Sequence, residues 1–189
     1  MIAPHPRIVP CWLTLLAVLA AARAAEVPTV RHVVPGLRHD AEILVDRWGV
    51  PHLYAKDQYD AYVAQGFNAA RDRLWQIDLW RKRGLGELAR DLGPAFVDHD
   101  AAARHFLYRG DLRTEWNAYA SDTKRIAEAF VAGVNAYVQL TRDQPALLPP
   151  EFTLLGTLPA FWSASDLVRI RSHGLASNVV SEVARARTL

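Results

Sequence analysis

The sequence predicts an α+β chain, mostly helical, with a short β-hairpin near its N-terminus. Three observations carry this. Apolar, β-branched-rich runs flank an Arg-Trp-Gly turn at 41–55; apolar residues recur at three- and four-residue steps from 58 onward; glycine and proline punctuate the stretches between.

The first 24 residues read as an export signal to be removed. Arg7 supplies a positive start, residues 12–20 form an apolar run, and Ala22-Arg23-Ala24 offers the small-x-small pattern that a signal peptidase cuts after. A membrane anchor is the competing reading, but the run falls short of the roughly 20 apolar residues a spanning helix needs. The expected protein is therefore residues 25–189, periplasmic or secreted, with no membrane anchor. Cys11, the sole cysteine, leaves with the signal, so no disulfide or thiolate metal site is expected. Arg7 and Arg23 leave too, and the remainder carries 20 charges of each sign, with no basic footprint for nucleic acid.

Residues 41–46 and 50–55 are expected as the two strands, with Gly49 at a positive-φ turn position. Pro51 cannot donate to a ladder and belongs at a strand start or on an edge. A long helix follows from Gln58, its buried face made by Tyr59, Tyr62, Val63, Gly66, Phe67, Ala70, Leu74 and Ile77, and Gly84 and Gly86 end it. Asp98 to Tyr108 lacks clear periodicity and reads as a loop after Gly93-Pro94. Ser121 is the expected N-cap of a second helix with the stripe Ile126, Phe130, Val131, Val134, Tyr137 and Val138. The prolines of 144–150 predict a rigid, non-helical connection. Ser163-Ala164-Ser165-Asp166 then opens a helix expected to run to the C-terminus with no stop signal of its own.

No constellation of side chains completes a catalytic centre. The nucleophile-elbow, phosphate-loop and His-Glu-x-x-His patterns are absent. Ser172-His173 places a hydroxyl beside an imidazole, but neighbours on a helix point apart. Asp98, His99, Asp100 and His105 could form a metal-binding module, though no ligand-spacing rule is met. Arg71-Asp72-Arg73 and Arg81-Lys82-Arg83 could hold an anion; interleaved Asp72, Asp78 and Glu87 favour solvated or ion-paired helix faces. His52 reads as a packed or hydrogen-bonded strand residue.

Several segments are nevertheless distinctive in order and spacing: Gly49-Val50-Pro51-His52-Leu53-Tyr54-Ala55, Gly66-Phe67-Asn68-Ala69-Ala70, Arg71-Asp72-Arg73-Leu74-Trp75-Gln76-Ile77-Asp78, Gly86-Glu87-Leu88-Ala89, Phe130-Val131-Ala132-Gly133-Val134-Asn135-Ala136-Tyr137, Leu148-Pro149-Pro150-Glu151-Phe152, and Phe161-Trp162-Ser163-Ala164-Ser165-Asp166. Together they resemble the opening of the penicillin acylase (penicillin amidase) family of N-terminal-nucleophile hydrolases. The resemblance implies the small α-chain portion of an αββα enzyme whose precursor cuts itself into α and β chains.

It also implies why no site is legible. The nucleophilic serine, its α-amino base and the oxyanion donors would belong to the β chain, the expected partner, so no residue here is expected to be catalytic. The implied substrates are acylated amines, either β-lactam antibiotics or acyl-homoserine lactones. By position in the family's last α-chain helix, Leu175, Ala176 and Val179 are expected to line the acyl pocket. The best-known penicillin G acylases carry an Arg-Phe pair in this region, and this sequence has Leu175-Ala176 or its neighbours instead, which leaves aromatic and aliphatic acyl groups both open. Glu182 matches the glutamate that such enzymes give to a structural Ca²⁺; the alternative is a solvated helix glutamate paired with Arg185 or Arg187. No organic cofactor is implied.

Overall fold

The computed structural model describes residues 28–171 and 179–188. It divides into two units, Met1–Val33 and Val34–Leu189. Of the first, residues 28–33 have no regular secondary structure, and the expected signal segment lies outside the described residues.

In the second unit the hairpin forms as expected, with β1 (Glu42–Val45) antiparallel to β2 (Pro51–Tyr54) and Ile43 opposite Leu53. Gly49 takes φ +79°, a conformation that a side chain would strain. The Asp46 carboxylate accepts from the N–H groups of Trp48 at 2.8 Å and Val50 at 3.0 Å, and His52 Nε2 lies 3.2 Å from it. The Val50 N–H, then the His52 ring, hold this carboxyl below the ordinary aspartate range. His52 is thus the hydrogen-bonded strand residue expected, and Pro51 starts its strand.

Helix α1 (Gln58–Leu85) begins at Asp57, whose side chain accepts from the Asp60 N–H, and stops at Gly86 with φ +69°. Gly84 does not help to end it. Gly84 lies inside the helix, where a Cβ would sit 2.8 Å from the Ile170 Cβ, so its role is to admit a neighbour. The helix is kinked at Arg73 (φ −144°, ψ 30°), where neither proline nor glycine adjoins. The expected apolar face is buried at Val63, Gly66, Phe67, Ala70 and Leu74 and only half-buried at Tyr59, Tyr62 and Ile77.

Two short helices follow, α2 (Leu88–Leu92) and α3 (Val97–His105). The second corrects the loop expected there. Asp98 and Asp100 in its first turn and Arg104 and His105 in its last complement the helix dipole, and Ala101-Ala102-Ala103 supplies propensity. Asp100 is buried because its two oxygens accept from Leu88 N at 2.9 Å and Ala89 N at 2.7 Å, capping α2 from a distance.

Helix α4 (Leu112–Ala118) was not expected either; Asp111 caps it by accepting from Arg113 and Thr114 N–H, both at 3.2 Å. Helix α5 (Thr123–Asp143) starts one residue later than expected, with Asp122 rather than Ser121 at the N-cap, because a turn closed by Thr123 N to Ala120 O precedes it.

Helices α1 and α5 cross at two glycines. A Cβ at Gly66 would meet Phe130 O at 1.9 Å, and one at Gly133 would meet Val63 O at 2.0 Å and Phe67 N at 2.6 Å. Around the crossing lie Phe67, Ala70, Leu74, Val134, Tyr137 and Val138, joined by Phe152. Phe67 meets Tyr137 edge-on with centroids 5.3 Å apart, and Trp75 meets Phe152 at 5.0 Å.

Phe152 arrives on helix α6 (Pro150–Leu155), which takes in only the last residue of the proline stretch; the rest holds no α-helix, only a single 3-10 turn at Pro145–Leu147. Proline is acceptable at the first helical position, where the missing N–H has no partner to lose. Gly156 at φ +64° ends the helix. Helix α7 (Ala164–Arg169) opens on the expected capping box but runs only six residues. The Arg169 carbonyl, which a continuing helix would spend four residues further on, accepts instead from Tyr108 N–H at 3.1 Å. Helix α8 (Val179–Thr188) is a separate element.

Candidate functional site

The residues expected to serve substrate and metal lie at or beyond the end of α7. Leu175 and Ala176 are outside the described residues, as are Ser172 and His173; Val179 and Glu182 lie in the first half of α8. What the structure does show is how the segment leading to them is held.

Residues 159–166 are fastened to both long helices. Asn135 on α5 donates from Nδ2 to Trp162 O at 2.9 Å and accepts from Trp162 N–H at 2.7 Å, so one side-chain amide matches both polar groups of a peptide. Arg142 donates to Pro159 O at 3.2 Å, and Ala160 N–H donates to Asp78 at 3.4 Å. Asp166 completes the capping box by accepting from Ser163 N–H at 3.0 Å, and the same oxygen takes Arg81 Nε at 2.7 Å. One carboxylate therefore both starts α7 and ties it to α1.

Arg81 and Lys82 belong to a buried charge network, where the sequence suggested a solvated or ion-paired face. The ion pairs are present and the solvent is not: Lys82 is 1% exposed. Its Nζ lies 2.6 Å from Asp78 and also contacts Asp91, while Arg81 bridges Asp166 and Asp78. Burial raises the Asp78 carboxyl above its ordinary range despite Lys82 and Arg81 beside it. The far end of α7 is anchored as well. Arg171 pairs with Glu115 and donates to the Tyr119 hydroxyl at 2.8 Å, its guanidinium lying 4.8 Å from the Tyr108 ring centroid. Helices α1, α4 and α5 thus fix the polypeptide up to the last described residue before the expected pocket segment.

The metal module considered on Asp98, His99, Asp100 and His105 does not assemble, since both Asp100 oxygens are engaged in capping and His105 sits exposed at the other end of α3. Among the described residues, His39, Asp57 and Asp60 do bring ligand atoms within 4.8 Å of one another. Here too the carboxylate is already satisfied. Asp60, fully buried, accepts from Arg38 N–H at 2.8 Å and from His39 N–H at 3.1 Å, with His39 Nδ1 at 2.9 Å. Burial pulls its pKa upward, but these donors outweigh it and keep the carboxyl below its ordinary range. This is a clasp that fastens the segment before β1 to the start of α1.

The ordered sequence segments occupy these structural positions: the glycine crossing, the Asn135 clamp, the helix Pro150–Leu155 and the Ser163 capping box. The penicillin amidase family model matches residues 40–189. The chain belongs to the penicillin amidase family. It is 37% identical over 129 residues to penicillin acylase 2 proenzyme of a Pseudomonas species, covering 68% of this chain and 16% of that protein. To Escherichia coli penicillin G acylase it is 30% identical over 132 residues, 69% of this chain and 16% of that one. It is 29% identical over 154 residues to the acyl-homoserine lactone acylase QuiP of Pseudomonas aeruginosa, covering 80% of this chain and 18% of that protein. The chain therefore spans about a sixth of the length of these penicillin amidase relatives. Its fold is similar to a chain of the thermostable penicillin G acylase of Alcaligenes faecalis, with TM-score 0.66, 31% identity, and coverage of 76% of this chain and 75% of that one.

Proposed function

We propose that this chain is the α-chain portion of an exported N-terminal-nucleophile amidohydrolase that cleaves the side-chain amide of acylated amines. One contrast carries the reading. The chain and the solved penicillin G acylase chain cover each other almost equally, whereas the curated relatives, one of them named a proenzyme, are several times longer. A small chain separated from a long precursor fits both facts.

In this reading the β chain begins with the nucleophilic serine. Its hydroxyl attacks the amide carbonyl as its own α-amino group, titrating near 8, takes the proton. Donors from the β chain stabilise the oxyanion, the amine departs with a proton, and water then releases the acyl group. The present chain positions substrate: Leu175, Ala176 and Val179 line the acyl pocket, downstream of the scaffold anchored by Asn135, Arg81, Asp166 and Arg171. Their aliphatic character suits the chain of an acyl-homoserine lactone as well as a β-lactam side chain.

Glu182 is proposed as this chain's ligand to a structural Ca²⁺. A carboxylate is the right hard donor, and residues 183–188, which follow it on α8, are exposed. One carboxylate supplies one or two of the six to eight oxygens Ca²⁺ takes, so the β chain contributes the rest. The same reading places the processed heterodimer in the periplasm or outside the cell. Among the described residues no helix is long and apolar enough to cross a membrane.

Reading the gene past the codon for Leu189 tests this directly. The expected result is an in-frame spacer leading to a serine preceded by a cleavage site, and a processed protein that releases amine from a phenylacetyl or acyl-homoserine-lactone amide. A stop codon at that point would leave a non-catalytic fragment and end the proposal. Turnover by the pure 189-residue chain, lost on mutating one of its own serines, would overturn the assignment of the nucleophile.

A further inference from the structure

The two ends of α7 are held by different parts of the molecule. Its start is built into the crossing helices, where Arg81 takes Asp166 and Asn135 clamps Trp162. Its end depends on α4, a seven-residue helix whose main packing partner among the described elements is α7 itself. Ile170 packs on Gly84, but the polar grip on this end comes from one stretch, residues 108–119. Tyr108 N–H donates to Arg169 O at 3.1 Å. The Arg171 guanidinium pairs with Glu115, donates to the Tyr119 hydroxyl at 2.8 Å and faces the Tyr108 ring.

This grip differs from an ordinary surface ion pair. Glu115 is only 8% exposed, although the other residues of its short helix are exposed or half-buried. A buried carboxylate needs its cation in place, whereas an exposed pair contributes little. The guanidinium also meets a ring and two oxygen acceptors at once, which the point charge of a lysine cannot reproduce. The reach of the chain makes this anchor consequential. Leu175 stands four residues beyond Arg171, and four residues span at most about 14 Å. With Arg171 released, the next polar tether is the Arg169 carbonyl, and the arm grows from four residues to six.

We propose that Arg171, held by Glu115 and Tyr119, is a positioning residue for acyl selectivity. It fixes where the chain leaves α7, and so where Leu175 and Ala176 stand against the acyl group. The proposal rests on the reading above, in which those two residues line the pocket. It gives α4, which that reading leaves without a role, a part in substrate choice. A well-placed apolar wall discriminates one methylene by about 10- to 200-fold. A wall carried on a loosened arm loses part of this, and loses it first for acyl groups long enough to reach it.

An acyl-length profile tests the assignment. On the processed, assembled enzyme, kcat and KM are measured for amides of one amine with each straight-chain acyl group from acetyl to decanoyl, and with phenylacetyl. Arg171→Ala is expected to flatten the profile. The kcat/KM ratio between the best acyl group and its homologue one methylene longer should fall about threefold or more, mainly through KM, with the acetyl amide losing least. Arg171→Lys, which keeps the charge without the planar fork, should fall between wild type and Arg171→Ala. Tyr119→Phe removes one hydrogen bond and leaves Glu115 paired, so it serves where Arg171→Ala fails to assemble, and should shift the profile less in the same direction. A merely structural role would lower the amount of active enzyme and scale every substrate alike. Such parallel loss, or an unchanged profile, would overturn the proposal. Leu175→Phe, run alongside, separates the two readings. If it reshapes the profile and the Arg171 and Tyr119 variants do not, the positioning role alone fails; if none of them does, the pocket assignment fails with it.

Discussion

At the scale of single residues, carboxylates do most of the long-range fastening. Asp60, Asp100 and Asp166 each satisfy backbone N–H groups or a guanidinium brought from elsewhere in the fold. Asp60 gives this a pH signature. Its folded-state pKa lies below the ordinary value near 4, so its stabilising contribution is complete above that pH and is lost as pH falls through the folded value. Asp60→Asn is therefore expected to lower the melting temperature at pH 7, with the gap from wild type narrowing steadily below pH 4. A constant gap across that range would show that charge plays no part. Lys82 makes the opposite case, a cation held away from water between Asp78 and Asp91. Lys82→Met leaves those carboxylates buried without it and should cost about 3–5 kcal/mol in chemical denaturation. A loss under about 0.5 kcal/mol would be that of an exposed surface position.

At the scale of elements, the crossing of α1 and α5 depends on absent side chains. Alanine favours a helix over glycine by about 1 kcal/mol, so propensity alone makes Gly133→Ala stabilising. The contacts at 2.0 and 2.6 Å reverse the sign. Gly133→Ala should destabilise by about 1–3 kcal/mol as the helices are forced apart, and a raised melting temperature would refute the close crossing. The hairpin and both long helices were legible from the sequence because each has a strong local period and a glycine or capping signal. Helices α3 and α4 were not, since their runs are too short to show an apolar period, although the charges at the two ends of α3 and the Asp111 cap of α4 are local signals that could have found them. The break after α7 was hidden because the hydrogen bond that ends it comes from Tyr108. Of the candidate site, Leu175, Ala176, Val179 and Glu182 followed from resemblance alone. The segment that precedes them is anchored by Asn135, Arg81 and Arg171, but nothing local marks Arg81 as the partner of a residue 85 positions away.

At the scale of the whole molecule, the described chain shows a packed interior on one side of α1 and apolar surface elsewhere. Leu154 is 84% exposed and Leu158 58%, and Phe161 is exposed as well. In the isolated chain such residues are left in water, and poor solubility is expected. Light scattering should show the 189-residue chain associating at concentrations where the processed heterodimer stays monodisperse, and equal behaviour of the two would mean that this surface is not an interface.

Pro51 bears on that association. A sheet grows into a fibre only if every unit can be added to on both sides, one edge receiving and the other offering. With Pro51 at an outward position opposite Val45, the β2 edge is one donor short and makes a weak template for stacking of unassembled chains.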